Sequence, residues 1–409
     1  MILLFLSLIN ALQPIVMLPP FYGTQLFTSY NSSEFPWYCP KSMKDELIWV
    51  DATMFISKRR DCLCKLLTPR LDSDGKIRNY KNISIYVKDF GGEESLRYVA
   101  NFKVIDYPFV ESLASIIDFY KKHGYEIKKD LFLAPYDFRI SPAFSYEFHE
   151  DLKSLIENAS KINKQKVTLF GFSLGGFNSQ YFLQNKVDQA WKDKYIDQLI
   201  LLAPSFVGMT SNLLSFWTKS SPLVPNYHAP ELQELCEAWP SIHVHNPNLY
   251  AFGNRTVFIG PDRKNYTAWD VHSFAKKFKL VSDKNFKMYE HSYNITKSYP
   301  AAPGVKTTIF YNSGIDTTDV LDFNKGWDKL PKEYKAPGDE KIPAHGIEWV
   351  CNNWTNVNCL DFRMSHKSFE HQSLVSNKRV IDVIYNTTNH LPYIPKKNEK
   401  TINYEFSIL

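Results

Sequence analysis

Residues 167–180 read VTLFGFSLGGFNSQ, and no other stretch limits the possible folds so sharply. Val167, Thr168, Leu169 and Phe170 form a short apolar, β-rich run, long enough for a buried strand. Gly171-Phe172-Ser173-Leu174-Gly175 then fits G-x-S-x-G, and Gly176 follows. Phe177, Tyr181 and Phe182 recur at helical spacing beyond it. Strand, glycine-flanked serine and helix, in that order, are the context a nucleophile elbow requires. The turn must be sharp enough to lift the hydroxyl clear of a sheet, and only residues without bulk tolerate the crowding on either side. Such a serine needs a base, an acid and a place for substrate from the rest of the chain.

The flanking chain supplies alternating strands and helices. Residues 13–18, 131–134, 198–204 and 306–312 read as strands. Residues 106–120, with Phe109, Leu113, Ile116, Ile117 and Tyr120 apolar, read as a helix, and so do residues 151–162. The alternation predicts an α/β fold with a mainly parallel sheet. Its 409 residues suit one such domain with insertions, over residues 12–409. Residues 205–300 are irregular and rich in Pro, Trp, Tyr and Asn, as expected of a cap or lid. The polar tail from Pro395 onward is expected to be peripheral.

The first eleven residues, MILLFLSLINA, have the length of a signal-peptide apolar region and are too short to span a bilayer. Eight N-x-S/T sequons, at Asn31, Asn82, Asn158, Asn254, Asn265, Asn294, Asn353 and Asn386, point to a secretory route. In an oxidising compartment several of Cys39, Cys62, Cys64, Cys236, Cys351 and Cys359 should pair. None has zinc-like spacing, so no metal is expected. The net charge of +5 is spread along the chain with no basic stripe, which argues against nucleic acid.

In the chain order Ser, acid, His, the base must follow the last strand. His371 fits best, because an apolar-periodic helix begins a few residues later; His366, His390 and His345 are the rivals. For the acid, Asp339 in the turn-forming Ala336-Pro337-Gly338-Asp339 stands beside Asp316, Asp319 and Asp322. Oxyanion donors in this class are the amide after the nucleophile, here Leu174, and one from the loop after an early strand, where Phe21 is the candidate. The segment between Cys39 and Cys62 carries Trp49, Met54 and Phe55 near Lys58, Arg59 and Arg60. It reads either as a surface loop with solvated charges or as a membrane-touching loop whose cations attract anionic headgroups.

Together these segments resemble the lecithin:cholesterol acyltransferase family, and within it the lysosomal phospholipase A2 branch. The resemblance runs through PIVMLPPFYGTQL, the Cys39–Trp49–Cys62 spacing, APYDFR at 134–139, GFSLGG at 171–176, QAWKDKYI at 189–196 with LLAP at 201–204, GD at 338–339 and EHQSL at 370–374. It implies an α/β-hydrolase fold with Ser173 as nucleophile, Asp339 as acid, His371 as base, and oxyanion amides at Phe21 and Leu174. It also implies a Cys39–Cys62 disulfide framing a lid, and no cofactor. The implied reaction is lipid acyl transfer through an acyl-serine, at a phospholipid membrane or lipoprotein surface, in an extracellular or lysosome-like compartment. The acceptor is water or a lipid alcohol such as a sterol or ceramide. Four places depart from the family pattern, one of them Phe138 for the tryptophan of P-Y-D-W-R. Leu18-Pro19-Pro20-Phe21-Tyr22-Gly23 replaces V-P-G-x-x-G, and Gly338-Asp339-Glu340-Lys341-Ile342 replaces G-D-G/D-T-V. The second family disulfide has only Cys351 in place, with Cys359 its expected new partner.

Overall fold

The computed structural model describes residues 12–32, 35–51, 53, 58–80, 82–102, 107–218, 230–393 and 400–403. The apolar N-terminal run and lid residues Met54 and Phe55 lie outside them. The central sheet has seven strands: β1 (Ile15–Leu18), β2 (Leu131–Leu133), β3 (Val167–Phe172), β4 (Ile196–Leu202), β5 (Thr307–Tyr311), β6 (Val357–Asp361) and β7 (Lys400–Asn403). Their order across the sheet is β7-β6-β5-β4-β3-β1-β2. All neighbours run parallel except the antiparallel pair β6 and β7. This is the sheet of an α/β hydrolase, with β3 beside its middle.

Period-two alternation divides the core between the two faces of the sheet. Val16, Leu18, Leu169, Leu199, Leu201 and Ile309 point to one side. Ile15, Met17, Phe170, Phe172, Ile200, Leu202 and Phe310 point to the other. The strands are buried on both faces, so they read as continuous apolar runs rather than alternating ones. Helices α1 (Arg59–Leu67), α2 (Ala114–Lys122), α3 (Tyr146–Asn163), α4 (Leu174–Asn185) and α5 (Lys378–Thr388) follow in chain order. Ile116, Ile117 and Tyr120 of α2 and Val380, Ile381, Val383 and Ile384 of α5 share one core with the second set of strand residues. The Asn377 side chain caps α5 by accepting from the Arg379 and Val380 amides, at 3.0 and 3.4 Å.

Three local expectations are corrected. The helix read over 106–120 starts only at Ala114, and Tyr107–Glu111 is a strand paired antiparallel with Tyr98–Phe102. Pro108 lies inside that stretch, and a helix interior rejects proline. The tail is not merely peripheral, because residues 400–403 add the edge strand β7. The cap region is less irregular than its composition suggests. It holds helices Thr210–Thr218, Pro230–Ala238, Val271–Lys277 and Phe286–Thr296, and a short hairpin of Thr256–Ile259 and Asn265–Thr267. That hairpin joins strands Ile315–Asp322 and Lys332–Gly338 in a second, four-stranded sheet. Its last strand ends immediately before Asp339.

Two disulfides are formed, Cys39–Cys62 and Cys351–Cys359. The first ties α1 to the loop that enters a three-stranded antiparallel sheet of Leu26–Asn31, Ser42–Trp49 and Ile83–Tyr86. The APYDFR segment is anchored by Arg139, whose side chain is wholly buried. Arg139 bonds the Asp137 carboxylate (Nε to Oδ1 2.9 Å), the Leu67 carbonyl at 3.1 Å and Asn79 Oδ1 at 2.9 Å. A buried cation is tolerable only with this degree of pairing.

Candidate active site

The elbow is built from adjacent residues. Ser173 follows β3 directly and takes φ 53° and ψ −116°, a conformation rarely populated by residues with a Cβ. Flanking glycines make room. A Cβ on Gly171 would lie 2.5 Å from the Gly175 carbonyl oxygen, and one on Gly175 would lie 2.5 Å from the carbonyl oxygens of Leu18 and Pro19. The first turn of α4 therefore presses onto the end of β1, where the Phe21 loop begins. The Ser173 amide donates to Leu202 in β4 at 2.9 Å, and its carbonyl accepts from Phe177 and Ser205, both at 3.2 Å.

Ser173, His371 and Asp339 meet at the carboxyl end of the sheet. They are 4, 2 and 1 % exposed, so the three are closed off from bulk water. Asp339 is an acceptor, so His371 Nδ1 carries the proton given to Asp339 Oδ2 at 2.8 Å. His371 Nε2 is then a lone pair, 2.9 Å from Ser173 Oγ, and accepts its hydroxyl proton. The backbone adds a second tie, with the His371 amide donating to the Asp339 carbonyl at 2.7 Å. The other Asp339 oxygen accepts the Lys341 and Ile342 amides at 3.1 and 2.7 Å. Glu340 takes φ 84°, the left-handed position for which glycine is the unstrained choice, and its amide donates to Thr317 Oγ1 at 2.9 Å. The turn thus has its bonds to Asp339 and Thr317 in place, with the strain carried by Glu340.

The rival residues are engaged elsewhere. His345 Nε2 and Asp319 Oδ1 are 2.7 Å apart, so two of the alternatives pair with each other. Arg255 adds a longer contact to Asp319 at 3.4 Å. His390 faces Asp197 at 2.9 Å, and His366 caps a short turn through Ser368. Asp322 accepts from the Asn324 amide, while Asp316 is exposed.

The two oxyanion candidates come from different segments, Leu174 from the start of α4 and Phe21 from the loop after β1. Leu174 is the first residue of α4, so its amide is not spent inside the helix. Phe21 sits in the turn from Pro20 to Gly23, closed by a 3.0 Å bond between their backbones, with Tyr22 at φ 65°. Trp49 is not a lid tip. It is 5 % exposed, its ring 5.3 Å from Tyr22, 5.1 Å from Phe138 and 5.9 Å from Trp239, and its indole N–H donates to the Tyr22 carbonyl. It supports the Phe21 turn from below, because a large aromatic gains more by burial than by exposure. Among the described residues of this region the exposed aromatic is Trp37, at 83 % exposure, with the Lys58 ammonium 5.4 Å from its ring. A tryptophan two residues outside the cysteine-bounded loop carried no sequence signal of its own.

A cavity of 380 Å³ opens beside the elbow helix, lined among others by Phe177, Gln180, Tyr181, Phe206, Asn248 and Ile295. Phe177 is one helical turn beyond Ser173. Among the described residues no group of acidic, cysteine and histidine side chains is arranged to hold a metal ion, and no helix is long and apolar enough to cross a membrane.

Sheet, elbow and buried Ser–His–Asp relay define an enzyme of the serine-hydrolase kind on an α/β-hydrolase fold. Residues 45–242 match the lecithin:cholesterol acyltransferase family model. It is 28 % identical over 356 residues to the phosphatidylcholine-sterol acyltransferase of Gallus gallus, covering 85 % of this chain and 83 % of that one. It is 28 % identical to lecithin-cholesterol acyltransferase-like 1 of Arabidopsis thaliana, covering 80 % of each chain. The lysosomal phospholipase A and acyltransferase of Bos taurus is 24 % identical, covering 84 % of this chain and 83 % of its own. The lysosomal branch is thus matched at lower identity than the sterol acyltransferase of Gallus gallus.

Proposed function

We propose that this enzyme cleaves an acyl ester of glycerophospholipids through an acyl-Ser173 intermediate and passes the acyl group to water or to a lipid alcohol such as a sterol or ceramide. The carrying observation is the unbroken hydrogen-bond chain from Ser173 Oγ through His371 to Asp339. His371 takes the Ser173 proton as Oγ attacks the ester carbonyl, and the new oxyanion is held by the Phe21 and Leu174 amides. His371 then gives the proton to the departing lysophospholipid. In the second half-reaction it deprotonates the acceptor, and Ser173 is released. Asp339 holds the tautomer and stabilises the imidazolium without taking the proton.

The closed site favours transfer over simple hydrolysis, since an acceptor other than water competes only where water is kept out. The names of the relatives support phosphatidylcholine as donor and a sterol as one acceptor. The test is incubation with labelled phosphatidylcholine vesicles, with and without cholesterol or ceramide, from pH 4 to 8. Labelled lysolipid with fatty acid, sterol ester or acylceramide is expected. Intact phosphatidylcholine throughout would refute the reading.

Two disulfides favour an oxidising compartment, and seven of the eight sequon asparagines are exposed, Asn386 being half-buried. This supports a secretory route with residues 1–11 as a signal peptide. Membrane contact is assigned to the Trp37 and Lys58 surface, where an aromatic body and a cation can meet lipid together. Trp37→Ala is expected to weaken sedimentation with phosphatidylcholine–phosphatidylglycerol vesicles roughly tenfold, from the apolar area the ring would bury. Equal sedimentation of variant and parent would remove Trp37 from the lipid surface.

A further inference from the structure

A second serine–histidine pair lies beside the first. Ser205 and His245 are both buried, with Ser205 Oγ 3.1 Å from His245 Nε2. In the tautomer protonated at Nδ1, Nε2 is the acceptor and the Ser205 hydroxyl is the donor. Ser205 opens the short 3-10 turn Ser205–Val207 just past β4, and its amide donates to the Ser173 carbonyl. The His245 ring is 5.2 Å from the ring of Phe21. His245 belongs to the cap, where its own amide donates to Ile242 at 3.1 Å and its carbonyl accepts from Met209 at 2.8 Å.

We propose that His245 is a positioning residue for the acyl-transfer centre, holding the Ser173 peptide through Ser205 and the oxyanion turn through the Phe21 ring. This rests on the reading of Ser173 as nucleophile. The physical need is plain at both contacts. Ser173 sits in a sparsely populated backbone conformation, which persists only when its surroundings over-determine it. The Phe21 turn has lost the first glycine of the family pattern, so its amide is aimed by packing rather than by a fixed loop chemistry. Burial, with His371 nearby, holds the His245 pKa down to about 3. The ring therefore stays neutral, and it does not oppose the imidazolium that forms on His371 during turnover.

The test is the rate at which a fluorophosphonate labels Ser173, which needs no lipid. Ser173 Oγ attacks phosphorus, fluoride leaves, and the proton passes to His371, while the phosphoryl oxygen takes the oxyanion position. His245→Leu and Ser205→Ala are each expected to slow labelling about tenfold, as a displaced reacting group does. The double variant should be no slower than the slower single one, because the two residues act as a unit. His245→Gln, whose amide oxygen can accept from Ser205, should stay within about threefold of the parent. On phosphatidylcholine the loss should fall in kcat with KM unchanged. Thermal melts identify variants that are folded at the assay temperature, and Ser205→Ala, the smallest change, keeps the test decisive if His245→Leu does not fold. Parental labelling rates in the folded single variants, or losses that multiply in the double variant, would overturn the inference. A parent enzyme that is not labelled at all would overturn the nucleophile assignment, and this inference with it.

Discussion

Ser173→Ala is expected to lower phosphatidylcholine deacylation by on the order of 10⁵–10⁶-fold, about 7–8 kcal/mol in transition-state stabilisation. In the proposed mechanism the Oγ atom is the part of the relay that forms a bond to the acyl carbon, and neither water nor His371 can replace it in that geometry. Stability should change little, because the hydroxyl has one partner, His371 Nε2, and the backbone bonds of Ser173 remain. Ser173→Gly should be equally inactive yet melt at a higher temperature than the alanine variant. The strained φ and ψ cost about 1–3 kcal/mol with a Cβ present, against roughly 0.5–1 kcal/mol of extra chain entropy for glycine. Release of labelled lysolipid and a calorimetric melt check both halves. Residual deacylation by Ser173→Ala within tenfold of the parent would exclude Ser173 as the nucleophile.

Asp339→Asn is expected to reduce kcat by about 10³–10⁴-fold with the fold retained, the loss typical of forcing the wrong histidine tautomer. The reason lies in which oxygen does what. Asp339 Oδ1 holds the Lys341 and Ile342 amides, so an asparagine keeps its oxygen there and turns its NH₂ toward His371. His371 Nδ1 must then accept, and its proton moves to Nε2, which faces Ser173 and loses its lone pair. The imidazole would stay in position, since its amide still donates to the backbone carbonyl of residue 339. Single-turnover acylation read by rapid quench checks the prediction. An Asp339→Asn enzyme acylating at the parental rate would mean another carboxylate serves His371, and Asp319, already paired with His345, would be the first to examine.

Much of the architecture was legible because it is written locally. Apolar runs bounded by turn residues identified five of the six parallel strands, β1 to β5. The elbow was readable because its requirement is met by neighbours: Gly171 and Gly175 clear the space that Ser173 needs within five residues. The helix after His371 was readable from its apolar period, and Asn377 caps it as such a start requires. What failed was local evidence pointing the wrong way. Phe109 fell into helical register with the true helix by coincidence, although Pro108 beside it belongs to a strand. Trp49 sat among exposed-looking residues but is held by Tyr22, Phe138 and Trp239, partners far from it in the chain.

The sequence by itself determined the sheet, the elbow that presents Ser173 and the chemistry class, because backbone torsion, β-propensity and steric clearance act over a few residues. Only the tertiary structure decided which carboxylate and which imidazole complete the relay. Asp319 and Asp339 carry the same charge, and His345 and His371 the same ring. What separates them is that the second sheet delivers Asp339 to the carboxyl end of β3, while Asp319 and His345 satisfy each other. The same holds for His245 and Trp49. Their places against Phe21 and Tyr22 come from burial against distant residues, a contact that no spacing along the chain encodes.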